Sequence, residues 1–117
     1  MQWDKTIGGD DNDYLQVIEQ TKDGGYILGG YSTSNISGEK TEKSRGSFDY
    51  WVVKINASGK IEWDKTLGGN GYDNLRCLKQ VADGAYIFGG YSPSGISGEK
   101  TQRSRGGYDY WMIKLTE

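Results

Sequence analysis

Apolar and polar positions along this chain fall into short runs of period two, with no run at the 3.6-residue period of an amphipathic helix. Four segments read as strands bounded by turn residues: Tyr14–Gln20, Tyr26–Ser32, Asp49–Ile55 and Ile61–Leu67. The second is nearly continuous apolar (Tyr26, Ile27, Leu28) and ends in Gly29 and Gly30, which predicts burial on both faces and a close backbone approach. The third puts Trp51, Val53 and Ile55 on one face and Tyr50 and Val52 on the other, which turns polar at Lys54. The fourth alternates most sharply, with Ile61, Trp63 and Leu67 against Glu62, Asp64 and Thr66. Burial is therefore expected to fall from the second strand to the fourth. Lys22-Asp23-Gly24-Gly25 suits a tight hairpin turn, because Asp-Gly tolerates positive φ. Asn56 to Lys60 makes a short link between the third and fourth strands.

Shifted by 60 residues, the chain matches itself without a gap, and 31 of the 57 paired positions (1–57 against 61–117) are identical. The strands recur at Asn74–Gln80, Tyr86–Ser92 and Asp109–Leu115, and the counterpart of Ile61–Leu67 is Gln2–Ile7. A fixed period of this length marks a repeat architecture. The falling burial fits an all-β fold, a β-propeller with two four-stranded blades of 60 residues, because blades pack tightly near the axis and splay at the rim. A sandwich is expected to show a polar face on every strand. The order of segments is offset by one strand. Residues 8–67 make a first blade; residues 68–117 make a second that lacks its outer strand, which residues 2–7 of a neighbouring chain are expected to supply. Two repeats leave large apolar faces open. The expected partner is thus the chain itself, in a homo-oligomeric ring of three copies (six blades) or four (eight).

The pattern Trp-x-Lys-Thr-x-Gly-Gly, then Asp-Gly-x-Tyr-Ile-x-Gly-Gly-Tyr-Ser in the second copy's register, then Asp-Tyr-Trp-x-x-Lys resembles the tandem repeats of secreted bacterial and archaeal β-propeller proteins, abundant in Bacteroidetes. The resemblance spans essentially the whole chain. It implies a propeller fold and an extracellular or cell-surface setting, and no particular activity. Such proteins usually carry a full ring of repeats, whereas this sequence has two.

Composition narrows the function classes. A net charge of −2 argues against nucleic acid or an anionic membrane as the main partner. No run approaches the roughly 20 apolar residues of a membrane span, and no apolar region of a signal peptide is expected in this sequence. There is no histidine, hence no ordinary general base near neutral pH and no His-ligated metal. Cys77 stands where the first copy has Val17, and is expected to be a small buried hydrophobe. No cofactor and no catalytic residue are expected. Paired carboxylates leave glycoside hydrolysis open in principle, but a site repeated in each blade fits multivalent binding better.

Sequence elaboration concentrates in two loops per repeat, expected on one face of the ring. The first comprises residues 8–13 and 68–73; the second runs through residues 33–48 and 93–108 and is long for a hairpin link. Asp10, Asp11 and Asp13 suggest calcium, but only Asp13 recurs, as Asp73, so turn capping is the simpler reading and no metal is expected. Ser37-Gly38-Glu39-Lys40-Thr41 lacks phosphate-loop spacing. Candidate ligand-binding residues are Asp13, Lys40, Arg45 and Asp49 with their counterparts Asp73, Lys100, Arg105 and Asp109; with Glu39 and Glu99 they equally suit a charge lattice that holds the long loop. Trp51 and Trp63 belong to strand faces and are expected in the core, whereas Tyr14, Tyr72 and Tyr108 at loop edges suit contact with carbohydrate.

Overall fold

The computed structural model describes residues 2–102, 105 and 107–116. Seven antiparallel strands form two sheets: β1 (Asp13–Gln20), β2 (Tyr26–Ser32), β3 (Asp49–Ile55) and β4 (Ile61–Leu67) in the order β1-β2-β3-β4, then β5 (Asn74–Gln80), β6 (Tyr86–Ser92) and β7 (Asp109–Leu115) in the order β5-β6-β7. Each boundary matches the alternation in the sequence, save that β1 begins one residue earlier because Asp13 pairs with Ser32.

The two sheets stack face to face. Residues opposite one another in antiparallel strands share a face, so the register assigns the packing. One face of the first sheet offers Ile27, Tyr50, Val52 and Leu67; the second sheet meets it with Leu75, Leu78, Tyr86 and Phe88. At roughly 1.5–3 kcal/mol for each fully buried large side chain, this seam dominates the stability of the chain. The far face of the first sheet carries a smaller cluster of Trp51, Val53 and Ile55, against which Tyr26, Leu28, Ile61 and Ile7 pack.

The paired glycines set the spacing. A Cβ on Gly30 would stand 1.8 Å from the carbonyl oxygen of Tyr14, and one on Gly29 would stand 2.5 Å from Leu78 Cδ2. Any side chain at the first would push β1 away; at the second it would part the sheets. In both repeats a bulge in the neighbouring strand lies opposite this glycine pair, between Leu15 and Val17 and between Leu75 and Cys77.

Three expectations are corrected. The most buried strand of the first sheet is β3, not β2: all seven of its residues are buried, because one face meets the second sheet and the other lies under Ile7. Lys54 is not a polar outlet but is itself fully buried, with its ammonium held by Asp23 (3.1 Å) and Glu62 (2.8 Å). Cys77 is exposed, since it lies on the uncovered face of the second sheet, whereas Val17 packs against the inter-sheet core. Within the single chain Gln2–Ile7 pairs with no strand; Ile7 packs on the first sheet and the Trp3 ring abuts Gly59, where a Cβ would be 3.0 Å from Trp3 Cε3.

The repeat makes the open ends measurable. Tyr50 is 0 % exposed and its counterpart Tyr110 95 %; Val52 is 0 % exposed and its counterpart Met112 70 %. At the opposite end, Leu75 and Leu78 are buried while their counterparts Leu15 and Ile18 are exposed. The seam inside the chain thus has both of its halves repeated at the two outer faces.

Candidate functional site

The loop charges gather at the seam. Asp73 is fully buried: its carboxylate accepts from the Gly69 amide (2.9 Å), from Ser94 Oγ (2.8 Å) and from Ser92 Oγ. Asp13 does the same for the first repeat, accepting from the Gly9 amide (2.8 Å), Ser32 Oγ and Ser34 Oγ. Each aspartate ties the loop before β1 or β5 to the end of β2 or β6, which is a capping role. The Asp73 amide donates to the Phe48 carbonyl (2.7 Å) and so joins the two repeats.

Lys40, Arg45 and Asp49 come together on the other side of that link. The Lys40 ammonium is buried and donates to the Glu42 carbonyl (2.6 Å); burial pushes its pKa down, against the pull of nearby Asp49. Arg45 crosses the seam to Glu99, with Nη2 at 3.0 Å and Nε at 3.2 Å, and this partner holds its pKa up. Glu99 accepts in turn from the Gly68 amide (2.9 Å). Asp49 accepts from the Arg45 amide (2.6 Å) and Ser44 Oγ (3.1 Å) through one oxygen, while Oδ1 is buried with no hydrogen-bond partner. Burial, with a smaller contribution from Asp73, pushes the Asp49 carboxyl up to about 6.

The second copy is open. Lys100 is buried and donates to the Gln102 carbonyl, and the Arg105 amide donates to Asp109, but the Arg105 side chain is exposed. Lys100, Arg105 and Asp109 line a groove of about 540 Å³ beside the free edge of β7, together with Thr101, Tyr110 and Trp111. The eight candidates therefore form one closed set at the seam (Lys40, Arg45, Asp49 with Asp73) and two half sets at the ends (Asp13; Lys100, Arg105, Asp109). Among the described residues, no three acidic or cysteine side chains are placed to hold a metal.

Two anchors escaped the sequence reading. Asp64 of β4 accepts from the Trp51 indole N–H (3.0 Å), the Thr41 amide (3.0 Å) and Thr41 Oγ1 (2.6 Å). Glu42 accepts from the Thr66 amide (2.8 Å) and lies 3.3 Å from the Lys65 ammonium. For Asp64 the signal was present in the joint recurrence of Trp-Asp-Lys-Thr and Ile-Ser-Gly-Glu-Lys-Thr at the same spacing; Glu42, which is Gln102 in the second copy, left none. Trp51 is buried and Trp63 packs against Tyr86 at 5.9 Å, both in core positions.

The buried carboxyl predicts a pH dependence. A folded-state pKa near 6 lies above the ordinary value of 3.8, so the native chain binds the proton more tightly than the unfolded one. The stabilisation is complete below about pH 4 and is lost as pH rises through 6. Asp49→Asn removes this term. Urea unfolding at pH 4 and pH 7 should show the variant gaining roughly 2 kcal/mol on the wild type over that interval. Parallel pH profiles for the two proteins would contradict it.

No protein-family model matches the chain, and no curated protein matches it either.

Proposed function

We propose that the chain is a self-assembling, non-enzymatic β-propeller module, in which each repeat is a blade and copies join head to tail into a closed ring. The observation that carries this reading is the pairing of exposures: Leu15, Ile18, Tyr110 and Met112, exposed on the outer faces of the two sheets, have counterparts 60 residues away, Leu75, Leu78, Tyr50 and Val52, buried in the seam within the chain. Stacking the face of Tyr110 and Met112 on the Leu15 and Ile18 face of a second copy would repeat the seam already present. Such a heterologous contact closes a ring when its rotation fits.

The N-terminal segment completes the joint. With the register of β3 and β4 (Tyr50 opposite Leu67, Trp51 opposite Thr66, Val53 opposite Asp64), Ile7 of one copy falls opposite Tyr110 of the next, Thr6 opposite Trp111 and Asp4 opposite Ile113. Asp4 then meets the Trp111 indole and Thr101, as Asp64 meets Trp51 and Thr41. Arg105 of the accepting copy likewise faces Glu39 of the copy that supplies the strand, as Arg45 faces Glu99. Strand addition to a free edge supplies backbone hydrogen bonds along with these contacts.

Light scattering during gel filtration tests the proposal. The expected mass is three or four times the 13.0 kDa of the chain. A stable folded species at the mass of one chain would overturn it.

A further inference from the structure

Six aromatic rings collect at the loop end of the two sheets, outside the buried core. Tyr14, Tyr31 and Phe48 lie 5.2–5.8 Å apart by centroid, Phe48 meets Tyr72 edge-on at 4.5 Å, and Tyr91 meets Tyr108 at 5.1 Å. Tyr72 stands among the other four phenols; the little solvent it loses, and then their proximity, push its hydroxyl pKa up. Arg76 lies 5.2 Å over the Tyr91 ring, donates to the Tyr91 hydroxyl (2.7 Å) and reaches Gln16 (3.2 Å).

We infer that this cluster is a binding surface for neutral carbohydrate. The chain's structural tyrosine looks different: Tyr50 is fully buried, its ring packs on Trp111 and its hydroxyl donates to the Trp111 carbonyl (3.0 Å). Tyr14, Tyr72 and Tyr108 are exposed, and the hydroxyls of Tyr14, Tyr31, Tyr72 and Tyr108 make no hydrogen bond to described residues. A contiguous aromatic patch open to water marks an interaction site. Its chemistry selects the occupant. Flat ring faces suit the C–H face of a pyranose, and free phenols both donate to and accept from sugar hydroxyls. The Arg76 guanidinium disfavours a cationic guest; two of its five N–H groups are engaged by Tyr91 and Gln16, and the six rings themselves carry no charge. A neutral ligand with one apolar and one hydroxylated aspect fits these rings and phenols best. In a ring the patch would recur with each copy, so weak single sites gain from avidity.

The inference stands apart from the ring, since each chain carries the whole patch. The intact protein is screened on an array of neutral glycans and titrated calorimetrically with chitohexaose, cellohexaose and mannohexaose. At least one glycan should bind, and Tyr14→Ala and Tyr72→Ala should each weaken it roughly tenfold with the melting temperature and the solution mass unchanged. Tyr26→Phe, on the far face of the first sheet, should bind as the wild type does. A flat array overturns the inference, as does binding that survives both alanine variants. Light scattering on the same samples separates the two proposals: glycan binding by a monomer sinks the ring alone, and a ring that binds no glycan sinks this site alone.

Discussion

The Met112→Asp variant is expected to be a folded monomer, whereas Val52→Asp, the same change one repeat earlier, is expected to be unfolded. Val52 is fully buried in the inter-sheet core with Tyr50, Leu75, Leu78 and Phe88, and the cation opposite it on β4, Lys65, is already paired with Glu42. Stranding an unpaired charge there costs on the order of 5 kcal/mol or more, comparable with the whole stability of a small domain. Met112 is largely exposed in the single chain, so an aspartate costs the isolated fold no more than about 0.5 kcal/mol. In the ring it would face Leu15 and Ile18 of the next copy, and the penalty reappears as dissociation. Circular dichroism melts and light scattering read the two effects separately. A Met112→Asp variant that keeps the mass of the assembled wild type would place the joint elsewhere.

The second large effect concerns Lys54, and its sign depends on which partner is removed. Burial alone would lower the Lys54 pKa, but the carboxylates of Glu62 and Asp23 outweigh it and hold the pKa above 10.5. Its contribution is therefore lost only as pH rises past that raised value. Asp23 is the more exposed of the two carboxylates; Thr21, the Gly25 amide and Lys54 draw its pKa down to about 2, so its contribution is present above pH 4 and is lost as pH falls towards 2. Lys54→Met leaves both carboxylates in water and refills the space, and should stay within about 1 kcal/mol of the wild type. The double variant Asp23→Asn/Glu62→Gln leaves the buried ammonium without a counter-charge, with only neutral amide oxygens and the Ile55 carbonyl (3.1 Å) as acceptors, and should lose about 3–5 kcal/mol. Urea titrations of the two variants decide the ranking. Equal losses would mean that the side-chain volume, not the charge, is what the site requires.

Strand boundaries were legible because period-two alternation and the Asp-Gly turns are local: Gly24 and Gly84 both adopt the positive φ that those turns require. The close approach at Gly29 and Gly30 was legible for the same reason, since only a missing Cβ explains two glycines within an apolar run. Burial was legible only where both faces could be inferred. Lys54 was misread because its partners come from a turn 31 residues earlier and from the adjoining strand, and alternation alone shows neither. Cys77 was misread because equivalence in sequence was taken as equivalence in burial, which fails at the end of a stack. The candidate site was read at the level of residues but not of sets. Nothing local reveals that Asp73 belongs with Lys40, Arg45 and Asp49 of the preceding repeat rather than with Lys100, Arg105 and Asp109 of its own.

The exposed thiol of Cys77 gives the proposed joint a chemical clock. It lies beside Gly89, Tyr110 and Met112 on the outer face of the second sheet. A neighbour seated there would shield it, so alkylation would proceed only through opened joints. The labelling rate of an assembled sample would then report how often one subunit leaves the circle, and residual fast labelling would count chains with a vacant end.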